Sequence, residues 1–183
     1  MMRGLQGITA RGVFFVAAIT GTIGAAAMAD EPIAKRTVQV SGTGTDLLNG
    51  AIVHLKKPTA TGVIQRGTEI VELCGDLHGK ILYHVTTVID NQKGTLVNTG
   101  DQVFSGTIAG SEPVMIHDSK FRFKVNLATG ADSGSVFLFD HIAGPQVRCE
   151  LKVTGTGKAA DGNPTFRYTG TCKFGPGATA SKP

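Results

Sequence analysis

Residues 149–172 read CELKVTGTGKAADGNPTFRYTGTC, with a cysteine at each end. Before the turn-rich GKAADGNP segment (157–164), Cys149, Leu151 and Val153 alternate with Glu150, Lys152 and Thr154. After it, Phe166, Tyr168, Cys172 and Phe174 fall on one face. Two-residue alternation on both sides of a Gly/Asp/Asn/Pro cluster predicts an antiparallel hairpin. A turn centred between Ala160 and Asp161 sets Cys149 opposite Cys172, Leu151 opposite Gly170 and Val153 opposite Tyr168, so the apolar positions stay on one face. The register therefore predicts a Cys149–Cys172 disulfide, worth roughly 3 kcal/mol in the chain-entropy account.

Other readings of this stretch fail on spacing. A phosphate loop needs glycine where Lys152 stands and a hydroxyl where Ala159 stands. There is no CxxC pair for redox exchange and no histidine for zinc. Cys74, the third cysteine, is left over. It is open to three readings: a buried thiol, an alternative bridge partner, or a nucleophile with His78 four residues on.

The same alternation recurs along the chain. In KFRFKVNL (120–127), Phe121, Phe123, Val125 and Leu127 oppose Lys120, Arg122, Lys124 and Asn126. No helical stripe of ten residues occurs after Thr37. The pattern predicts strands over 37–41, 50–57, 61–65, 69–74, 79–89, 95–109, 113–117, 120–127, 135–140, 146–155 and 165–174, some of the early ones merging. DNQKG (90–94) and ATGADSG (128–134) supply turns. The fold class is all-β, a single antiparallel up-and-down, lipocalin-like (calycin) barrel of about eight to ten strands. A β-sandwich is the alternative. SGTGT, TGTGK and TGTC have no fixed period and read as strand ends.

The N-terminus, MMRGLQGITARGVFFVAAITGTIGAAAMAD, joins Arg3 and Arg11 to an apolar run over 12–27 and a small-x-small AMA before Asp30. It predicts a cleaved signal peptide over 1–29 and a secreted or periplasmic protein. A membrane anchor fits less well, because glycines and threonines dilute the run. No twin arginine or nearby cysteine points to another export route or to a lipid anchor. A loose arm (30–36), a barrel domain (37–174) and a disordered tail (175–183) follow. Without the leader the formal charge falls from +4 to about +2, no footprint for nucleic acid. No stable membrane insertion is expected after cleavage.

Catalytic and metal signatures are missing. His54, His78, His84, His117 and His141 share no ligand spacing, so no metal and no cofactor is expected; His117-Asp118 and Asp140-His141 are the suggestive pairs. Glu69 and Glu72 face opposite sides of their strand. Glu72, in parity with Ile70 and Cys74, is the one read as able to point inward, with a solvated edge position as the plainer reading. Tyr83, Asn98, Gln102 and Tyr168 fall on the apolar faces of their strands and are the candidate ligand-binding residues. A barrel filled by its own side chains accounts for the tyrosines equally well.

The segment GDLHGKILYHVTTVIDNQKGTLVNTGDQVFSGTIAGS (75–111), a short Phe-rich strand and the hairpin VTGTGKAADGNPTFRYTG (153–170) together resemble the allene oxide cyclase-like group of calycin-type barrels. The resemblance implies an eight-stranded barrel with an apolar pocket, in a group that includes cyclases acting on fatty-acid epoxides. That cyclase's polar site residues do not map onto this chain one by one, so no activity is carried over. The expected function is an exported barrel that binds a small hydrophobic molecule or serves as a secreted interaction module. The alternatives are a cofactor-independent isomerase or cyclase, and a purely structural filled barrel.

Overall fold

The computed structural model describes residues 36–175. The predicted signal peptide, the arm up to residue 35 and the tail from residue 176 lie outside the described residues. Arg36, assigned to the arm, opens the first strand opposite Phe174.

Eleven strands form: β1 (Arg36–Asp46), β2 (Ile52–Pro58), β3 (Gly62–Gly75), β4 (Leu77–Asp90), β5 (Thr95–Ile108), β6 (Val114–Asp118), β7 (Arg122–Asn126), β8 (Asp132–Leu138), β9 (Asp140–Ala143), β10 (Val147–Lys158) and β11 (Pro164–Phe174). Eight of them close a ring in the order β1, β3, β4, β5, β7, β8, β10, β11 and back to β1, every pair antiparallel. Closure excludes the sandwich and leaves no free edge on the ring strands. The remaining three strands extend this ring. β6 pairs with the second half of β5 and β7 with its first half, so the two are one strand broken at 119–121. β9 pairs with β6, and β2 lies along the first half of β3 after a 3-10 turn, Leu48–Gly50.

The hairpin register matches the one read from sequence: Cys149 faces Cys172, Leu151 faces Gly170 and Val153 faces Tyr168. A bulge at Gly155/Gly157 shifts the pairing near the turn. The cysteines are joined by a disulfide with Cα atoms 4.1 Å apart. The expected merging of early segments occurs at β3, β9 is a strand not read from the sequence, and two further readings change. Segments 61–65 and 69–74 are one continuous strand, β3, because its Gly67 pairs with Val85 rather than breaking the ladder. β1 runs through Gly42 and Gly44 to Asp46, so SGTGT is a strand interior, not an end. Leu127 lies just beyond β7 and is exposed, not in the core.

Those two glycines have a packing reason. Gly42 stands opposite Tyr168 and Gly44 opposite Phe166. A β-carbon at either would overlap the facing ring, so glycine lets the aromatic side chains lie flat across β1. Gly134 makes the same room for Phe123.

The barrel's two ends differ. At one end Leu77, Ile108, Ile116, Leu138, Val147, Cys149 and Cys172 are all 0% exposed and fill the interior. At the other, the β4–β5, β7–β8 and β10–β11 turns and the 3-10 turn surround an opening. There Asn163 accepts the Leu48 N–H through Oδ1 at 3.1 Å, latching the β10–β11 turn to the 3-10 turn.

Candidate functional site

The open half encloses a cavity of about 580 Å³. Its walls come from alternate residues of the ring strands: Val71 and Leu73 of β3, Ile81 of β4, Leu96 of β5, Phe123 and Val125 of β7, Leu151 and Val153 of β10. A mostly apolar wall with a few converging polar groups is the usual build of a small-molecule site.

The polar groups converge on Tyr83. Its hydroxyl lies 2.5 Å from Glu69 Oε2 and 3.0 Å from Asp46 Oδ2, so one phenol stands between two carboxyls. Glu69 is opposite Tyr83 in the β3–β4 ladder, and Asp46 is delivered by the last residue of β1. The Tyr83 ring is held edge-on by Phe121, with centroids 5.7 Å apart. A hydroxyl carries one proton. It donates to one carboxyl and accepts from the other only when that carboxyl is itself protonated. Asp46 is the group suited to hold that proton. Burial, and then the negative charge of Glu69, push its pKa up to about 6, against an opposing hydrogen bond from Tyr83. Burial and the same two carboxyls drive the Tyr83 phenol well above its ordinary range, so it stays neutral.

The four residues singled out from sequence all line the cavity, in different ways. Tyr83 belongs to the polar cluster. Asn98 is half-buried, and its Oδ1 has no hydrogen-bond partner. Gln102 is buried and donates through Nε2 to Asp118 Oδ2 at 2.8 Å. Tyr168 shows only its ring to the cavity floor. Its hydroxyl accepts the Leu77 N–H at 2.7 Å and lies 3.1 Å from the Leu77 carbonyl and 3.2 Å from the Cys74 carbonyl, so it is committed to the β3–β4 turn.

Sequence reading missed the acids. Of the two glutamates, Glu69 points inward, 8% exposed, while Glu72 is on the outer face beside Lys80. The signal was present: Glu69 shares parity with Val71 and Leu73, both core residues. Asp46 was hidden because β1 was ended at 41, although Val38, Val40, Gly42 and Gly44 carry its parity forward. Asp132, at the start of β8, also lines the cavity; burial raises its pKa while the Gly155 amide opposes the shift.

The adjacent pairs His117-Asp118 and Asp140-His141 are separated by strand alternation. His117 faces out, 3.3 Å from Asp101 and 3.4 Å from Asp140. Asp118 faces in, where it accepts the Gln102 side chain and the N–H groups of Phe137 and Lys120. His141 contacts the Gly144 carbonyl. Cys74 is free and exposed, which removes the reading of a buried thiol. Among the described residues no group of three His, Cys, Asp or Glu could hold a metal ion. Compared with models of known families, with curated proteins and with solved structures, the chain gives no match.

Proposed function

We propose that the protein binds a small, largely apolar molecule in the open half of its barrel. The observation that carries this reading is the cavity of about 580 Å³, apolar over most of its wall, beside a polar cluster built on Tyr83. A water-facing exterior is supported by the outward residues Lys80, Arg122, Lys124, Glu150, Lys152 and Arg167, the reverse of a lipid-facing barrel surface. Export rests on the leader-like sequence of residues 1–29, with which the disulfide is compatible. The test is fluorescence titration with the neutral probe N-phenylnaphthylamine. Saturable one-to-one binding is expected, lost on replacing Val71 by Trp to fill the cavity; absence of binding by the folded wild-type chain refutes the reading.

A second reading, a cofactor-independent isomerase or cyclase, is favoured by Asp46. A carboxyl that titrates near 6 beside a bound molecule suits proton transfer at neutral pH. Solvent deuterium entering an acidic C–H position of a bound ketone, and failing to enter in D46N, is the expected result. No exchange in the wild-type chain rules this activity out for that ligand.

A further inference from the structure

We infer that the ligand of this cavity bears a hydrogen-bond-donating, cationic head group, an amine of an amphiphile, seated against Asp46 and Glu69. The inference deepens the ligand-binding reading and rests on it. The cavity's side chains are strongly biased towards acceptors. Asp46, Glu69 and Asp132 line it, and among the described lining residues Lys158, at the exposed mouth, is the one cation.

Beside the uncharged side chains of Gln65, Thr87 and Asn98, which also line the cavity, the donors nearest the acids and the floor are committed elsewhere. The Tyr83 hydroxyl lies between the two acids, the Tyr168 hydroxyl serves the β3–β4 turn, and Gln102 gives its Nε2 to Asp118. Acceptors are left over. Glu69, more than nine-tenths buried, uses only Oε2, on Tyr83; its Oε1 takes no hydrogen bond. Asp46 Oδ1 and Asp132 Oδ1 are buried without a hydrogen-bond partner. The terminal torsion of an aspartate turns easily, so either oxygen can be brought to face a ligand. Buried acceptors without donors are unfavourable, and a ligand ammonium supplies up to three donors together with the opposite charge. A ligand carboxylate would find like charges and no uncommitted cation within the barrel.

The test is displacement of N-phenylnaphthylamine at pH 7.5 by dodecylamine, dodecanol and dodecanoate below their micelle concentrations. Dodecylamine is expected to bind about ten-fold more tightly than dodecanoate, with dodecanol between, since a charge-assisted bond differs from a lost one by about that factor. D46N and E69Q should each remove most of the amine's advantage over the alcohol, while E72Q, on the outer face of the same strand, should keep it. Dodecanoate binding as well as the amine overturns the head-group assignment, as does an amine advantage that survives both D46N and E69Q or vanishes in E72Q. A chain that binds neither probe nor any dodecyl compound takes the ligand-binding reading down as well, which separates the two failures.

A measurement without variants guards against misfolding. Glu69 of β3 and Tyr83 of β4 are the titratable groups that face Asp46. Carbon NMR of the Asp46 carboxyl should show its midpoint, about 6 in the free chain, falling when dodecylamine binds and holding when dodecanol binds. An unmoved midpoint at amine saturation counts against the assignment.

Discussion

The two halves of the barrel use the same polar residue types to opposite ends. In the filled half, Tyr168 and Asp118 sit inside the core with their hydrogen bonds completed by the backbone: Leu77 and Cys74 for the phenol, Lys120 and Phe137 for the carboxyl. In the hollow half, Tyr83 and Asp46 meet each other and Glu69, and oxygens are left over. A buried polar group whose partners are backbone amides is fixed by the fold. One whose partners are other acids remains responsive to protons and ligands. The halves should therefore answer substitution differently, stability responding in the first and recognition in the second.

The largest effect is expected at Asp118, 1% exposed. Asp118→Ala strips three donors of their acceptor at the break between β6 and β7, and should destabilise by about 4 kcal/mol in urea unfolding. A loss under about 1 kcal/mol would mean that water replaces the carboxylate, and that the filled half is not a dry, saturated core. Next comes the disulfide. Replacing Cys149 and Cys172 together by alanine should lower stability by roughly 3 kcal/mol. Below the unfolding transition the double variant should still bind N-phenylnaphthylamine, because the bridge lies in the filled end away from the cavity mouth. Loss of probe binding in a folded double variant would show that the halves are not separable. Tyr168→Phe should follow at about 2 kcal/mol, since it leaves the Leu77 N–H without its acceptor. Its effect on ligand retention should be small compared with that of Tyr83→Phe, which breaks the cluster itself.

The β10–β11 hairpin, which runs from the filled end to the cavity mouth, was the most legible part of the sequence. Residues 149–172 carry register, bridge and face together, because two cysteines at matching positions and the alternation on both strands pin the pairing independently of strand ends. The hollow half depends on knowing where strands stop, and there the reading slipped. Arg66-Gly67-Thr68 reads as a break, although each of these residues finds a partner on β4. Ending β1 at 41 concealed Asp46, and taking Ile70 as an inward residue chose Glu72 over Glu69. A cavity wall mixes polar, glycine and apolar positions, so strand parity there loses its hydrophobic contrast. Asn98 and Gln102 were legible because they share parity with Leu96 and Phe104, and Tyr83 because it falls on the apolar face of its strand. Glu69 stands opposite Tyr83 by the register of the β3–β4 hairpin, whereas Asp46 is brought there by the β1–β3 pairing that helps close the ring, information that no single strand carries.

The smallest expected effect has the opposite sign and bears most directly on the contrast between the halves. The Asp46 pKa is raised in the fold from 3.8 to about 6, so the folded state holds a proton that the unfolded chain releases. Its contribution to stability is complete below about 4 and is lost as pH rises through about 6, leaving a buried charge at neutral pH. The full shift corresponds to roughly 3 kcal/mol. Asp46→Asn removes that charge but still buries an amide, so a gain of about 1–2 kcal/mol at pH 7.5 is expected. Below pH 4 the two chains should differ little, and the difference should grow between pH 4 and 6, as read by urea unfolding of both proteins across that range. A stabilised variant that has lost its preference for the amine would show that Asp46 is kept charged at the expense of stability, the mark of a group that serves a ligand. A destabilised D46N at neutral pH would instead make the Asp46–Tyr83–Glu69 cluster a structural staple like Asp118, and would erase the distinction between the two ends of the barrel.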